Sequence, residues 1–150
     1  MNPYVLICMI GLPRAGKSTY VAGIREKGIP VVNPDSIRLA MHGQRFAKEA
    51  EELVWATAKI MVRSLFLAGH QEVVLDATNI NRASRDKWID PMWTRLFTYI
   101  STPPSVCVVR AAQDGMPDLV PVIERMAVDF EKPSDEEGVV DFIDWKELDA

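Results

Sequence analysis

The chain has 150 residues, 48% of them hydrophobic and 25% charged, and carries a formal net charge of −4. That length suits one domain with its own core, and the composition excludes a wholly disordered chain. The longest apolar run, Tyr4 to Ile10, is strand-sized, far short of the roughly 20 residues a membrane helix needs. There is no basic leader with a small-residue cleavage site. Cys8 and Cys107 both lie in apolar runs. They read as buried thiols in a reducing compartment, not as a disulfide or metal framework.

The charge is uneven. Nine acidic and two basic side chains fall in residues 129–150, net −7, which leaves the first 128 residues at +3. The acidic end reads as a solvated, solubilising segment. The slightly basic body leaves an anionic substrate open.

Taken in order, strand-like and helix-like segments alternate. Tyr4–Ile10 is a continuous apolar run, as a strand covered on both faces requires. Lys17 to Lys27 reads as a helix ending at Gly28, and Pro30–Val32 as a short strand. Ala47 to Ala68 is a long helix, with Leu53/Val54, Ala58, Ile60/Met61, Leu65 and Ala68 at three- and four-residue spacing. Glu72–Leu75 is a strand, Ser84 to about Leu96 is partly helical, and Phe97–Ser101 is a fourth strand. The run from Ser105 to Val109 is rich in β-branched residues and fits a strand by propensity. Pro104 can equally open a helix at its first turn, and a helix is the expectation here. Val120 to Phe130 is a further helix, and Val139–Ile143 the last strand. Such alternation predicts a parallel sheet with helices on both faces.

The strongest motif is Gly11-Leu-Pro13-Arg14-Ala15-Gly16-Lys17-Ser18, which fits G-x-x-x-x-G-K-[ST]. Its glycines let the backbone wrap a phosphate with N–H groups inward, and the following helix adds its positive end. In such a loop Lys17 reaches the β- and γ-phosphates of ATP, and Ser18 ligates Mg²⁺. The second strand runs into Asn33-Pro34-Asp35-Ser36-Ile37-Arg38. Asp35 there can accept a hydroxyl proton during phosphoryl transfer, or it can merely cap the next helix. Arg38 lies one helical turn on, on the same side. The third strand ends in Asp76, the hydrophobic-run-then-Asp form that holds Mg²⁺ directly or through water, or else a turn aspartate. There is no G-x-G-x-x-G, G-x-S-x-G or Cys/His cluster to support other chemistries.

Gly11–Thr19, Asn33-x-Asp35-x-x-Arg38, Asp76-Ala-Thr-Asn79 and the closing Val122–Met126, Phe130-Glu-x-Pro133 and Glu137-Gly138 together resemble the phage-type polynucleotide kinases. More broadly they resemble small P-loop kinases that phosphorylate hydroxyl groups. The resemblance implies a P-loop NTPase, nucleotide-kinase-like three-layer α/β fold with five parallel strands in order 2-3-1-4-5. One kinase domain over residues 1–150 is expected, with a lid at about 105–125 and an acidic C-terminal segment at 129–150. ATP and Mg²⁺ are the implied cofactors, bound by Gly11, Pro13, Arg14, Ala15, Gly16, Lys17, Ser18 and Thr19, with Ser18 and Asp76 on the metal. Asp35 would be the general base, Arg38 the contact to a substrate phosphate, and Arg110 the first lid arginine. The second lid arginine falls near Asp114, a reversed charge, so Arg125, Arg82 or Arg14 is left to supply the cation. The family's phosphatase partner domain has no counterpart among these residues.

The expected activity is transfer of the ATP γ-phosphate to a nucleic-acid hydroxyl, either a 5′-hydroxyl end or a hydroxymethylated pyrimidine base in modified phage DNA. A kinase of small-molecule hydroxyls (nucleoside, sugar or antibiotic) and a P-loop NTPase switch are the alternatives. The expected location is the cytoplasm, of the host if the chain is phage-encoded. Arg38, Arg45, Lys48, Arg82, Arg85 and Lys87 either line an acceptor channel or are solvated helix faces. Trp55, Trp88 and Trp93 either stack on bases or pack the core.

Overall fold

The computed structural model describes residues 2–44 and 46–148, so Arg45 and Asp149 lie outside the described residues. Five strands form one sheet: β1 (Val5–Ile10), β2 (Val31–Val32), β3 (Glu72–Leu75), β4 (Thr94–Ile100) and β5 (Val139–Ile143). Their order is β2-β3-β1-β4-β5 and every pairing is parallel. The central strand β1 is apolar throughout because both of its faces are covered. Leu6, Cys8 and Ile10 face one core layer with Val73, Leu75 and Phe97, while Met9 joins Val74 and Ile100 in the other.

The first layer is closed by α3 (Glu51–Leu67), which buries Val54, Ala58, Val62 and Phe66. The four-residue spacing of that row makes one helix ridge. The stripe expected from sequence is broader, but Leu53 and Ile60 are exposed. The helix proper begins at Glu51, after a single 3₁₀ turn at Lys48–Ala50. The opposite layer is formed by α1 (Lys17–Glu26), α5 (Pro104–Gln113) and α6 (Val120–Asp129), contributing Val21, Cys107, Ala111 and Ile123. The 104–113 segment is helical, as expected. Pro104 takes the first turn, where its missing N–H is harmless, and the β-branched side chains are accommodated with Cys107 and Ala111 inward.

Two further boundaries differ from the sequence reading. The partly helical stretch is only α4 (Arg82–Asp86), and β4 starts at Thr94, three residues before Phe97. Between them Asp90 accepts from the Met92 N–H at 2.8 Å and bridges to Trp93, forming a turn that Pro91 stiffens. Trp88 and Trp93 are buried core residues, and the Trp93 indole N–H donates to the Trp88 carbonyl at 2.8 Å. Trp55 is half-buried against the edge of Trp88.

The acidic end is not a solvated tail. It supplies β5, which pairs with β4 from Leu96 to Ile100, and it sends Glu137 into the interior. There Glu137 meets Arg85, whose side chain is 1% exposed, with Nε to Oε1 at 2.8 Å. Arg85 is therefore a buried structural ion-pair partner and not part of an acceptor channel. Burial pushes the Glu137 carboxyl upward, but hydrogen bonds from Arg85 and from the Ser134 N–H outweigh it and hold the group below its usual 4.5.

A depressed carboxyl contributes stability above its unfolded pKa and loses it as pH falls through the folded value. Glu137→Gln leaves a buried guanidinium underpaired, so it should cost about 3–5 kcal/mol at pH 7 by urea unfolding. The gap between wild type and variant should stay constant between pH 6 and 8 and shrink below about 4.5. A gap under about 1 kcal/mol at pH 7 would show that the pair is not the tether its burial implies.

Candidate active site

Three strands deliver the predicted chemistry to one edge. The loop after β1 turns into α1 through Gly16, whose φ of 105° is left-handed and suits glycine. Gly11 is needed for a different reason: a Cβ there would sit 3.3 Å from both Ala15 Cβ and the Ile100 carbonyl oxygen. Arg14 also takes a left-handed φ of 68°. The loop is pinned by the Gly11 N–H donating to the Thr78 carbonyl at 3.1 Å and by the Thr102 hydroxyl donating to the Ala15 carbonyl at 2.6 Å. Pro13 is half-buried in the loop, while Ser18 and Thr19 are exposed on the first turn of α1.

Lys17 folds back over this loop, donating to the carbonyls of Gly11 at 2.8 Å and Leu12 at 2.7 Å. Desolvation lowers its pKa from 10.5 to about 8, while Asp76, Cys107 and Asp35 pull it up. Asp76 follows β3. Burial raises its carboxyl above the usual range, Lys17 lowers it, and Asp35 raises it further. The Asn33 amide donates to Asp76 at 3.4 Å, joining the ends of β2 and β3. A cleft of about 540 Å³ opens beside them, lined by Ser18, Arg25, Asn33, Ser36 and Asp76 among others. Ser18 and Asp76, the two predicted metal ligands, thus share one cleft.

Helix α2 (Pro34–His42) starts where β2 ends. Asn33 is its N-cap, accepting from the Asp35 N–H at 2.8 Å, so Asp35 sits in the first turn and does not itself cap. Asp35 is exposed and accepts from Arg38 Nη1 at 2.7 Å. Arg38 is held more firmly by Glu51, through Nε to Oε2 at 2.9 Å and Nη2 to Oε1 at 2.6 Å. These hydrogen bonds, Glu51 first, raise the Arg38 pKa further. Its guanidinium also lies 5.7 Å from the Trp55 ring centre. Sequence reasoning does not single out Glu51. Its only signal is an acid at the start of a long helix, which the helix dipole alone would justify.

On α5, Arg110 Nη1 donates to the Arg14 carbonyl at 3.1 Å and stacks 5.8 Å from Trp145. Asp114 pairs with Arg14. The acid that falls near the expected second lid position therefore engages an arginine of the phosphate loop. The other two candidate cations lie elsewhere: Arg82 pairs with Glu136 and Asp86, and Arg125 is exposed on α6. The short helix α7 (Trp145–Leu148) reaches back to the same loop, with Leu148 Cδ1 3.4 Å from the position of a Cβ on Gly16.

A parallel sheet of order 2-3-1-4-5 with a G-x-x-x-x-G-K-S loop after its central strand defines a P-loop kinase-like nucleotide-binding protein. The family model described as an AAA domain matches residues 6–125, and the chain belongs to that family. A chain of the Pnkp1/Rnl/Hen1 complex is 25% identical at a TM-score of 0.63, covering 71% of this chain but only 38% of that one. A gluconokinase from Sinorhizobium meliloti 1021 is 20% identical, with a TM-score of 0.62 over 99% of this chain and 89% of the other. A sugar kinase from Janibacter sp. HTCC2649 is 16% identical, with a TM-score of 0.67 over 99% of this chain and 90% of the other. No curated protein matches the chain. Among the described residues, no helix is long and apolar enough to cross a membrane.

The Lys17 environment is directly measurable. In the free protein, acylation of Lys17 by an amine-reactive reagent, read by peptide mass spectrometry, should titrate with a midpoint near pH 8. Exposed lysines in the same digest serve as the reference. ATP should protect Lys17 selectively. A midpoint shared with the surface lysines would overturn the buried-lysine reading.

Proposed function

We propose that the chain is a Mg²⁺-dependent ATP phosphotransferase acting on a hydroxyl of a nucleic acid, at a 5′-hydroxyl end or a hydroxymethylated pyrimidine base. One observation carries this reading. Asp35, an exposed carboxylate at the end of β2, faces the same edge as the phosphate-loop lysine and interacts with it electrostatically. An NTPase switch has no use for an acceptor-side base beside its phosphate loop.

In this reading the backbone N–H groups of residues 11–19 would cradle the ATP phosphates. Lys17 would leave the loop carbonyls for the β- and γ-phosphates, and Ser18 and Asp76 would hold Mg²⁺, which neutralises charge on the phosphate oxygens. Asp35 accepts the hydroxyl proton, and Arg38 keeps that carboxylate oriented through the 2.7 Å contact. Arg110 and Arg14 stand in for the lid cations, with Asp114 fixing Arg14. Residues 105–125 then act as a lid in one kinase domain. The nucleic-acid acceptor is supported by the likeness to a chain of the Pnkp1/Rnl/Hen1 RNA repair complex.

A small-molecule acceptor is the second reading, and a specific observation favours it. Of the basic side chains that could form a channel, Arg85 is buried, Arg82 is paired with acids and Arg38 is paired with two carboxylates. The gluconokinase and sugar kinase share the fold over nearly the whole chain.

Transfer from γ-labelled ATP to 5′-hydroxyl oligonucleotides, hydroxymethylpyrimidine DNA, nucleosides and sugars decides between them. Lys17→Ala should nearly abolish transfer to any of these, since it removes a cation from developing charge. Asp35→Asn should slow transfer by roughly 10²–10⁴-fold while ATP affinity stays within about threefold. Collapsed ATP affinity with normal transfer from bound ATP would make Asp35 a nucleotide-side residue and refute the assignment.

A further inference from the structure

A second cavity, about 370 Å³, opens between α3 and α4 and is lined by Glu52, Trp55, Lys59, Asn79, Ser84 and Lys87 among others. The two cavities flank the segment 76–79: Asp76 lines the first and Thr78 and Asn79 line the second. That segment is held firmly. The Asn79 amide donates to the Met9 carbonyl at 2.8 Å, and Arg85 donates to the Asn79 carbonyl at 2.9 Å.

The lining has a definite chemistry. Trp55 is fixed edge-on against the buried Trp88, with ring centres 6.3 Å apart, so its indole is a prepared surface. Lys59 and Lys87 are exposed at the rim, and Lys59 Nζ lies 5.8 Å from the Trp88 ring centre. Against these two cations the described lining has one acid, Glu52. Trp55 is also the ring on which Arg38 rests, and Arg38 bonds Asp35. One guanidinium therefore separates the indole from the proposed base. Arg38 brings no spare charge, because Glu51 and Asp35 already neutralise it. An anionic group on the acceptor has to look elsewhere, and the two rim lysines are the cations beside Trp55.

We propose that this α3–α4 cavity seats the acceptor, with its flat face on Trp55 and its anionic group at Lys59 and Lys87. The inference rests on the reading of the chain as a hydroxyl kinase and names its acceptor class: an anionic molecule with a face that stacks on indole. A nucleotide unit and a cyclic sugar acid both have that chemistry. Stacking on a fixed aromatic surface supplies affinity with little demand on sequence. The lysines add a point charge without the geometric selectivity of a guanidinium fork.

The test uses the full chain, ATP and two matched pairs of acceptors: a nucleoside 3′-monophosphate against its nucleoside, and glucuronate against glucose. In one pair the charged acceptor should have a KM at least tenfold below the neutral one, and that pair identifies the source. Trp55→Leu should raise the charged acceptor's KM at least tenfold, roughly the loss of one base–aromatic stack. The double variant Lys59→Glu/Lys87→Glu should erase the preference for the charged acceptor. ATP KM should be unchanged in both. Equal KM values within both pairs, or unaltered KM values in the lysine variant, overturn the proposal. The exposed lysines also keep the test decisive if Trp55→Leu does not fold. If ATP binds but no acceptor is phosphorylated, the kinase reading fails on its own. Calorimetric titration of the same four compounds then still decides the cavity: binding lost in the lysine variant supports it, and binding absent or unaltered overturns it.

Discussion

The Arg85–Glu137 ion pair holds the two halves of the active edge in register. Glu137 precedes β5 and Arg85 sits on α4, so the pair ties the last strand to the segment that follows β3. Arg85 Nη1 donates to the Asn79 carbonyl, and Asn79 in turn grips the end of β1 through Met9. The phosphate loop starts one residue past that strand. A buried guanidinium whose partners are this specific is costly to misplace. The position of the loop is thus set from behind by charge, as well as from below by the sheet.

The loop itself holds local constraint. Arg14 and Asn79 both take left-handed backbone conformations, at φ 68° and 46°, on the two sides of the Gly11–Thr78 hydrogen bond. Such conformations persist only where surrounding contacts over-determine them. Here those contacts are the Thr102 hydroxyl, the Asn79 amide and the Arg110 guanidinium. Lys17 donates to two loop carbonyls, so it is held close to the loop and partly desolvated in advance. A cation that has already lost part of its hydration gives an arriving phosphate a stronger field than a fully solvated one would.

Much of this is legible in the sequence, and for physical reasons. A central parallel strand must be apolar on both faces, and a phosphate loop must space its glycines to let backbone N–H groups converge. Both are local patterns, and both occur as read in Val5–Ile10 and Gly11–Ser18. Helix 104–113 is readable from proline placement against the pull of β-branched residues. What sequence does not display are the pairings across distance. Arg85 on a five-residue helix looks like any solvated arginine until its partner, 52 positions on, is brought to it. Glu51 looks like a helix-start acid until α2 packs Arg38 against it. The buried row of α3 is blurred because Leu53 and Ile60 are as apolar as the residues facing inward. Hydropathy spacing does not say which apolar ridge meets the sheet.

The Arg38 arrangement bears on how the site divides its labour. One guanidinium is shared by Asp35 and Glu51 and rests on Trp55, and its side chain is only 13% exposed. A residue so enclosed is poorly disposed to swing onto a diffusing phosphate, because swinging away would break the short charge-assisted bonds already made. It is well disposed to fix the direction of Asp35, which is otherwise exposed at 71% and would sample several rotamers. Glu51 gains meaning from this. By taking two of the guanidinium's donors it leaves one edge for Asp35, so that the carboxylate is oriented by a group that is itself immobile. In the proposed reading, orientation of the base and attraction of the acceptor fall to different residues, and the acceptor's charge is read by side chains that take no part in placing the proton acceptor.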